Sequence, residues 1–401
     1  MKVFVTTEER FFRTPDGQVW SGGSGSYSFW ARYLDVFDSV AVLARITDTK
    51  VIKPSWKKAD GVGVRFHVLP CAIGPAGHAL QMFSIRRAIR NILTQTDALI
   101  VRAFSAIAPH IEIQLSTGQP FGMELVGDPY EIFAPGCLHH PLRPLLRWYF
   151  TKQLQRQCQK ACAVAYVTRN GLQRRYQPGA GSYTTVYSSI ELGEEAFCSA
   201  PRNFDFSNRP IRLVSIGSLE RPYKGFDVLI DAIAACIRHS PWPEIRLTII
   251  GEGRYRSAIQ RQIDLLELDK HVSLIGQIPS GQAVRGELDR SDLFVLPSRS
   301  EGLPRAMIEA MARGLPCIGT AVGGIPELLN SEEMVPKNDS SALARMIEVL
   351  LRCPDRMTRL STQNLVKARE YHDSSLSRRR REFLEILRGR TELWNRRVQV
   401  N

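Results

Sequence analysis

The sequence predicts an α/β protein with two domains of similar size, and three observations lead to this prediction. The chain of 401 residues exceeds the usual size of a single hydrophobic core, and its 44% hydrophobic content is enough to fill two. In both halves, apolar β-type runs alternate with amphipathic stretches, as in doubly wound parallel sheets. Between the halves, the polar and proline-bearing stretch 199–210 is typical of a linker. We therefore expect two Rossmann-like domains facing each other across a cleft.

The elements of each half alternate along the chain. In the first half, the predicted strands lie near 2–6, 40–46, 64–69, 98–103, 122–126 and 163–167, and the predicted helices near 27–35, 79–95 and 144–160. The alternation restarts after the predicted linker. There the strands lie near 212–216, 245–250, 272–275 and 293–296, and the helices near 226–239, 255–267 and 282–290.

The segment 298–328, SRSEGLPRAMIEAMARGLPCIGTAVGGIPEL, places two carboxylates on either side of a helix start. Pro304 reads as a first helical position and Gly314 as a stop, so a helix is predicted over 305–313. Glu301 then precedes the helix and Glu309 lies within it, about 12 Å further along the axis. That separation suits one carboxylate at a sugar ring and the other at the ribose of the same nucleotide-sugar. A solvated surface helix is the alternative interpretation.

Two further segments carry residue types that suit a phosphate ligand. The loop 217–225, GSLERPYKG, follows a predicted strand, where Gly217 lets a ligand approach the backbone and Lys224 supplies a cation. At the N-terminal side, Gly22 and Gly23 precede a predicted helix start, where free N–H groups favour anions. The alternatives are a turn with a solvated lysine and a flexible surface loop.

The segment 298–328 resembles the donor-site motif of retaining glycosyltransferases with the GT-B fold, in particular glycosyltransferase family 4, also called glycosyl transferases group 1. Its E-G-L-P run, the second glutamate, G-L-P-C-I and G-G-I-P-E-L fall in the family's order. The resemblance is dense in the second half of the chain and weak in the first. It implies an N-terminal acceptor domain over 1–200, a nucleotide-sugar donor domain over 210–373, and a C-terminal helix over 374–401 that returns to the N-terminal domain.

The resemblance also implies roles for individual residues. In the family pattern G-R-x-x-x-x-x-K-G, Lys224 fits the lysine, but Ser218 stands at the arginine position, so Arg221 is the substitute cation. Asp128 matches the aspartate of an acceptor-side H-D loop in which Gly127 replaces the histidine. The residues implied in donor binding, in addition to Glu309 and Arg221, are Gly217, Ser218, Gly251, Gly253, Gly302, Leu303, Pro304, Gly22 and Gly23.

The expected chemistry needs no metal and no cofactor besides the nucleotide-sugar. The chain has no D-x-D triplet, the usual carboxylate pair for a metal-bound diphosphate, and Lys224 with backbone amides is expected to neutralise the leaving group instead. Retention of configuration is implied by the resemblance. In that scheme Glu301 orients the hexose, Glu309 holds the ribose, and the leaving phosphate accepts the acceptor's proton.

Charge and hydropathy bear on partners and location. A formal net charge of +13 favours an anionic partner, such as an anionic membrane surface, a phosphorylated substrate or nucleic acid. No nucleic-acid motif is present, so nucleic acid is not expected. We expect a cytoplasmic protein that is peripheral on the inner face of the plasma membrane, because no apolar run has the length of a membrane span or of a signal peptide. The basic, aromatic-rich stretch 141–165 and the arginines 378–381 are candidate contacts with lipid, or alternatively core and solvated faces.

The function predicted from these observations is hexose transfer from a UDP- or GDP-sugar to a lipid-linked acceptor or to a polysaccharide of the cell envelope. A dehydrogenase is disfavoured because no strand is followed by G-x-G-x-x-G. A degenerate GT-B protein, given Ser218 and Gly127, and a basic membrane-binding or nucleic-acid-binding protein are the alternatives. The eight cysteines form no C-x-x-C pair and are expected to be buried, reduced thiols.

Overall fold

The computed structural model describes residues 1–72, 74, 77, 80–94, 96–103, 105–138, 140–206, 209–239 and 244–400. The chain divides into two compact units. Unit 1 comprises Met1–Gly127, Tyr149–Ser189 and Ser377–Asn401, and unit 2 comprises Asp128–Trp148 and Ile190–Leu376. The boundary after Ser189 lies before the predicted one at 200, and the segment Asp128–Trp148 belongs to unit 2 and not to the N-terminal unit.

Unit 1 is built on a sheet whose strand order is β4-β2-β1-β6-β7-β8-β9, with β3 paired to β1 and β5 paired to β3. The pairings are parallel except those of β2 with β1 and β4. The sequence predicted five of these strands with nearly the observed bounds and the first part of β1. The strands are β1 Lys2–Arg13, β2 Val19–Ser21, β3 Ser39–Asp48, β4 Lys57–Lys58, β5 Val64–Leu69, β6 Ala98–Ala103, β7 Gly122–Leu125, β8 Ala163–Tyr166 and β9 Tyr183–Val186.

The helices of the first half are shorter than predicted in two cases. The helix expected over 27–35 is α1 Tyr27–Ala31 followed by a 3-10 turn, Arg32–Asp35. The helix expected over 79–95 is α2 Met82–Ile92, and its predicted ends, Ala79 and Gln95, lie outside the described residues. The next helices are α3 Ala108–Glu112, α4 Pro129–Ile132, α5 Arg143–Lys160 and α6 Gly171–Arg175.

Unit 2 contains a parallel sheet with the order β12-β11-β10-β13-β14-β15. The four strands and four helices that the sequence predicts here match to within two residues at each end, whereas the last two strands and the last two helices of this unit were not predicted. The strands are β10 Ile211–Ile216, β11 Ile245–Ile250, β12 Val272–Gly276, β13 Leu293–Leu296, β14 Cys317–Thr320 and β15 Met334–Val335. The helices are α7 Phe226–His239, α8 Arg256–Leu265, α9 Gln282–Asp289, α10 Arg305–Ala312, α11 Ser340–Leu351 and α12 Pro354–Arg369.

The stretch 199–210 differs from the free linker that its composition predicts. Phe204 and Phe206 are buried in the hydrophobic core of unit 2. Before them, the Arg202 guanidinium donates to the main-chain oxygens of Ser291 and Arg313, at 2.7 and 2.6 Å. The polar residues of this stretch therefore anchor it to unit 2.

The last helix, α13 Asp373–Val400, begins in unit 2 and continues in unit 1. Its apolar face covers the sheet of unit 1 at Gly122, where a Cβ atom would lie 2.9 Å from the Phe383 ring and 3.1 Å from Leu387. Near its end, the Arg390 guanidinium donates to the Cys162 and Gly181 carbonyls, at 2.6 and 2.9 Å. The helix is therefore part of the core of unit 1.

The cysteines are all free thiols, and most are at least partly buried, as the sequence predicts. Burial raises the pKa of Cys158 and Cys236 to about 12. Cys71 is exposed, against the prediction. No helix in the described part of the chain has both the length and the hydropathy that a membrane span needs.

Candidate active site

The predicted donor-site segments of unit 2 meet at one edge of its sheet. The chain runs outward from β10 to β11 and β12 and then returns to the other side of β10 as β13. Between β10 and β13 the strand order therefore reverses, and in open α/β sheets ligands bind at such a point, beyond the carboxyl ends of the strands. The loop 217–225 follows β10, and the loop 297–304 follows β13.

Backbone contacts hold these two loops together. The Arg299 amide donates to the Tyr223 carbonyl at 2.7 Å, and a Cβ atom on Gly225 would lie 2.1 Å from the Pro297 carbonyl oxygen. Gly225 has a φ of +70°, so a glycine is required there for both reasons. The Arg299 side chain adds a two-pronged ion pair with Asp227, at 2.9 and 2.6 Å. The junction of the loops is therefore rigid.

At this junction Lys224 and Glu301 form an ion pair. The Lys224 Nζ atom lies 2.6 Å from Glu301 Oε1, and their side chains are 13% and 7% exposed. Ser298 Oγ donates to the same carboxylate oxygen at 2.6 Å. The other oxygen, Glu301 Oε2, has no hydrogen-bond partner among the residues that the structure describes. Burial opposes the charge of Lys224, but Glu301 outweighs it and raises the pKa of Lys224 above its usual range. Lys224 is therefore a cation at neutral pH.

The start of α10 presents backbone donors next to this pair. Gly302, Leu303 and Pro304 form the turn into the helix, and no side chain caps its first turn. The amides of Met307 and Ile308 donate to the Pro304 carbonyl. The amides of Leu303, Arg305 and Ala306 thus remain at the open end, where the helix dipole favours an anion.

Glu309, in contrast, has no hydrogen-bonding or ion-pair partner for its carboxylate among the described residues. It is half-buried inside α10, and within the described part of the chain its carboxylate makes no hydrogen bond or ion pair. Burial raises its pKa, although the nearby Arg305 and Arg285 act in the opposite direction. A carboxylate in this state lowers its free energy when hydroxyl groups donate to it.

The comparisons with known proteins give the class of the protein. The family model described as glycosyl transferases group 1 matches residues 210–353, a range that includes Lys224 and both glutamates. Protein CapJ of Staphylococcus aureus is 24% identical over 328 residues, which cover 80% of each chain. These matches support a glycosyltransferase that is similar to the group 1 family over residues 210–353. The putative colanic acid biosynthesis glycosyltransferase WcaL of Escherichia coli K12 is 32% identical to the enzyme over 165 residues, which cover 39% of this chain and 40% of WcaL.

The solved structures show that the fold is GT-B. The structure of HepE from Anabaena in complex with UDP and glucose has a TM-score of 0.65 with the enzyme at 16% sequence identity. The match covers 96% of this chain and 99% of that one. At this identity the likeness concerns the fold.

The predicted glycines of the enzyme's donor unit have a structural reason of their own. A Cβ atom on Gly251 would lie 1.8 Å from the Gly217 carbonyl oxygen, and one on Gly253 would lie 2.1 Å from the Glu220 amide nitrogen. Gly217 itself packs against the Lys224 stem, whose Cδ atom a Cβ would approach to 2.9 Å. These three glycines let the 217–225 loop close over the end of β11 and direct Lys224 toward Glu301.

Ser218 and Arg221, the other two donor-site residues predicted in this loop, form no hydrogen bond or ion pair with Lys224 or Glu301 among the described residues. Ser218 is exposed, and its Oγ accepts from the Glu220 amide at 3.1 Å. Arg221 is exposed as well and has no partner among the described residues. The structure therefore brings Lys224, Glu301 and the α10 N-terminus together, but not Ser218 or Arg221.

The N-terminal glycine loop of the enzyme already holds an anion of its own. The Gly25 amide donates to both oxygens of Glu9, at 3.3 and 3.1 Å, and Ser21 Oγ also donates to that carboxylate. A Cβ atom on Gly23 would lie 2.8 Å from Glu9 Oε1, and one on Gly22 would lie 3.0 Å from the Trp56 ring nitrogen. Gly22 and Gly23 thus lie close against the side chains of Trp56 and Glu9.

Asp128, the predicted acceptor-side residue, lies in unit 2 and not in the N-terminal unit. It is buried and caps α4, since its Oδ1 atom accepts from the Tyr130 amide at 2.9 Å. Its carboxylate is therefore in structural use within its own loop.

Two residues of the site were not singled out from the sequence. Ser298 fixes one oxygen of Glu301, and Arg305 lies near enough to both Lys224 and Glu309 to act on their pKa values. A cation at the first position of a helix opposes the helix dipole, and this unfavourable placement is the signal that points to Arg305. Among the described residues, no group of three or more histidine, cysteine, aspartate or glutamate side chains is arranged to hold a metal ion.

Proposed function

We propose that the enzyme is a retaining, metal-independent hexosyltransferase that uses a UDP- or GDP-sugar. The observation that carries this proposal is the Lys224–Glu301 pair at the switch point of the unit 2 sheet, 2.6 Å between Nζ and Oε1. A cation, open helix amides and a carboxylate with one free oxygen lie together there. These are the groups that a diphosphate and a sugar hydroxyl require.

The roles proposed for the two glutamates follow from which of their carboxylate oxygens are left to accept hydrogen bonds. Lys224 and Ser298 fix Glu301 Oε1, which leaves Oε2 to accept from a hydroxyl of the transferred hexose. Lys224 and the amides of the α10 N-terminus stabilise the negative charge that develops on the diphosphate as the glycosidic bond breaks. Glu309 accepts from the ribose hydroxyls. The acceptor oxygen attacks the anomeric carbon on the face that the diphosphate leaves, and its proton passes to the departing phosphate oxygen.

The acceptor proposed is a lipid-linked intermediate or a polysaccharide of the cell envelope. Relatives named for colanic acid, amylovoran and teichuronic acid biosynthesis support this class, with 32%, 34% and 35% identity over 165, 152 and 136 residues. Each match covers 40% or less of either chain, so it supports the class of process and not a particular glycan.

A thermal-shift screen followed by a turnover assay tests the donor part of the proposal. UDP and GDP sugars are screened first, because a ligand present at a hundred times its dissociation constant adds about 2.7 kcal/mol of stability. With the donor that binds, released nucleoside diphosphate is measured in EDTA. Activity that EDTA abolishes and manganese restores contradicts metal independence. A protein that binds no nucleotide-sugar at all is the degenerate GT-B alternative.

We also propose that the enzyme attaches reversibly to anionic membranes through the start of α5. Leu145 and Trp148 are 56% and 61% exposed on this helix, and Leu142 just before it is 48% exposed. Apolar side chains on a chain with a net charge of +13 suit the interface of an anionic bilayer. The arginine run 378–381 offers less charge to a membrane surface than its composition predicts. Arg380 is buried, and only Arg378 and Arg381 are exposed.

Liposome co-sedimentation tests this attachment. Binding to anionic vesicles is expected to fall as salt rises and to weaken in a Leu145→Ser, Trp148→Ser double variant. Val366→Ser, which changes an equally exposed apolar residue elsewhere, is the matched control and is expected to bind as the wild type. Equal binding by the double variant and the wild type overturns the assignment to α5.

A further inference from the structure

Unit 1 contains a pocket that none of the roles above uses. It lies at the carboxyl ends of the adjacent strands β6, β7 and β8 and is closed by α1, by the residues after β9 and by α13. Its empty volume is about 320 Å³, counting the open mouth. Its charged and hydroxyl-bearing lining residues include Arg32, Tyr33, Arg102, Glu124, Tyr187 and Arg380.

The one carboxylate of the pocket is saturated with donors. Arg102 Nε lies 2.8 Å from Glu124 Oε2. The Tyr33 hydroxyl donates to both oxygens of Glu124, at 3.0 and 2.9 Å, and the Tyr187 hydroxyl donates to Oε1 at 2.8 Å. Burial and the Glu124 charge raise the pKa of both tyrosines well above the usual range, so both hydroxyls keep their protons. Glu124 therefore balances Arg102 and has no capacity left for another cation.

Arg380, in contrast, is a buried cation whose charge is not matched. It is 4% exposed, and its Nη2 atom donates to Ser377 Oγ at 2.9 Å. Its Nη1 atom is buried and has no hydrogen-bond partner in the described part of the chain. Within the same residues no carboxylate lies in ion-pair distance of it. An unpaired guanidinium in such a place is costly unless a ligand completes its bonds.

One more guanidinium group lines the pocket. Arg32, the third guanidinium, lies 4.2 Å from the Phe29 ring centroid and donates through Nε to the Phe29 carbonyl at 3.1 Å. Of the three guanidinium groups, Arg102 is paired with Glu124, and Arg380 has no carboxylate partner among the described residues. Arginine recognises carboxylate and phosphate groups through paired N–H donors.

We propose that this pocket binds one compact anionic group, a phosphate or a carboxylate, on the acceptor, with Arg380 as the residue that binds it. The assignment of the group to the acceptor rests on the proposed function. The anion pocket itself does not, because it lies wholly within unit 1, and the donor residues lie in unit 2.

The first test is a titration with inorganic phosphate at constant ionic strength, with thermal unfolding as the readout. Wild type is expected to gain stability saturably. Arg380→Met is expected to lose at least tenfold in phosphate affinity, and Arg380→Lys to show an intermediate affinity because it keeps the charge without the paired donors. Arg378→Met removes an exposed cation from the same helix and is expected to bind as the wild type.

The donor site also attracts phosphate, so the titration is repeated in Lys224→Met. Persistence of the saturable effect in Lys224→Met supports the pocket, whereas its loss there assigns the binding to the donor site and overturns the proposal. Circular dichroism establishes that each variant is folded. If Arg380→Met does not fold, the wild type and Arg380→Lys decide, since equal affinities in these two, or no saturable effect in the wild type, overturn the proposal.

The source of the anion is tested with dihexanoyl phosphatidate, a soluble lipid phosphate, and with glucuronate. Tighter binding of phosphatidate than of inorganic phosphate identifies a lipid-linked acceptor, and tighter binding of glucuronate identifies an acidic glycan. Either result supports the proposal if Arg380→Lys weakens the binding. Affinities equal to that of inorganic phosphate make the free ion the ligand and overturn the assignment to the acceptor.

Discussion

Two glutamates, one before α10 and one inside it, are in opposite states. Before the helix, Glu301 is paired with Lys224 and held by Ser298. Further along the helix, Glu309 is half-buried, has a raised pKa and makes no hydrogen bond or ion pair within the described residues. Glu301 is therefore held in place without a ligand, and in the proposed function Glu309 gains its partners from the donor. Fixed geometry suits the group next to the reacting sugar, because positioning there affects the transition state.

The largest expected effect is on turnover when the cation of the pair is removed. In Lys224→Met the leaving diphosphate loses its cation, and kcat is expected to fall by about a hundredfold to a thousandfold, as when one stabilising donor is lost. Lys270→Met changes an exposed lysine of the same unit and is the control. Steady-state kinetics with varied donor decide this, and a wild-type kcat in Lys224→Met removes Lys224 from the mechanism.

The next effect is on stability when the acid of the pair is removed. Glu301→Gln leaves the buried Lys224 ammonium without its counter-charge, so the free energy of unfolding is expected to fall by about 3 kcal/mol. The double variant Glu301→Gln, Lys224→Met is expected to recover part of this loss, because no unpaired charge remains. Urea denaturation of the wild type, the two single variants and the double variant measures the free energies of unfolding. Additive losses in the double variant would show that the two side chains are not coupled.

A smaller and opposite effect is expected at Glu309. Glu309→Gln removes the cost of burying an unpaired charge, so the apoenzyme is expected to be more stable at neutral pH. The same substitution removes the charged acceptor of the ribose hydroxyls, which is expected to weaken donor binding by about tenfold, or 1.4 kcal/mol. Calorimetric titration with the donor, together with urea denaturation, distinguishes the two effects. A less stable Glu309→Gln would mean that the carboxylate has a partner in the folded state.

The smallest effect is the pH dependence of the stability difference between Glu309→Gln and the wild type. The folded-state pKa of Glu309 is raised, so its contribution favours the folded state at low pH and is lost as pH rises from the usual glutamate value through the raised one. The stability gain of Glu309→Gln is therefore expected to appear above the raised pKa and to vanish below the usual value. Donor affinity of the wild type is expected to fall as pH drops through the raised pKa. A pH-independent difference between the two proteins contradicts this.

Much of unit 2 could be predicted from the sequence because its signals are local. Gly314 and Pro316 end α10, the glycines around 217–225 mark a strand end, and Glu301 and Glu309 are fixed by their positions around one helix. Periodicity alone was enough for these elements, since each parallel strand is a continuous apolar run followed by a helix.

The features of unit 1 depend on residues far apart in the sequence. Glu9 fills the glycine loop from a strand that continues beyond its predicted end, and Glu124 collects donors from Tyr33 and Tyr187. No local pattern contains these pairings. The burial of Arg380 had a local signal, because it lies four residues after Leu376 and three before Phe383 on the buried face of α13. Four consecutive arginines concealed that periodicity.

The path of the chain through the two units has a consequence for biosynthesis. Unit 1 contains Met1–Gly127 but is completed by Ser377–Asn401, a segment that is translated after all of unit 2. Phe383 and Leu387 cover Gly122, so the sheet of unit 1 keeps an apolar face uncovered until these two residues have been made. A nonsense codon near position 377 would release a polypeptide whose donor unit is nearly complete and whose earliest-made sheet has no cover.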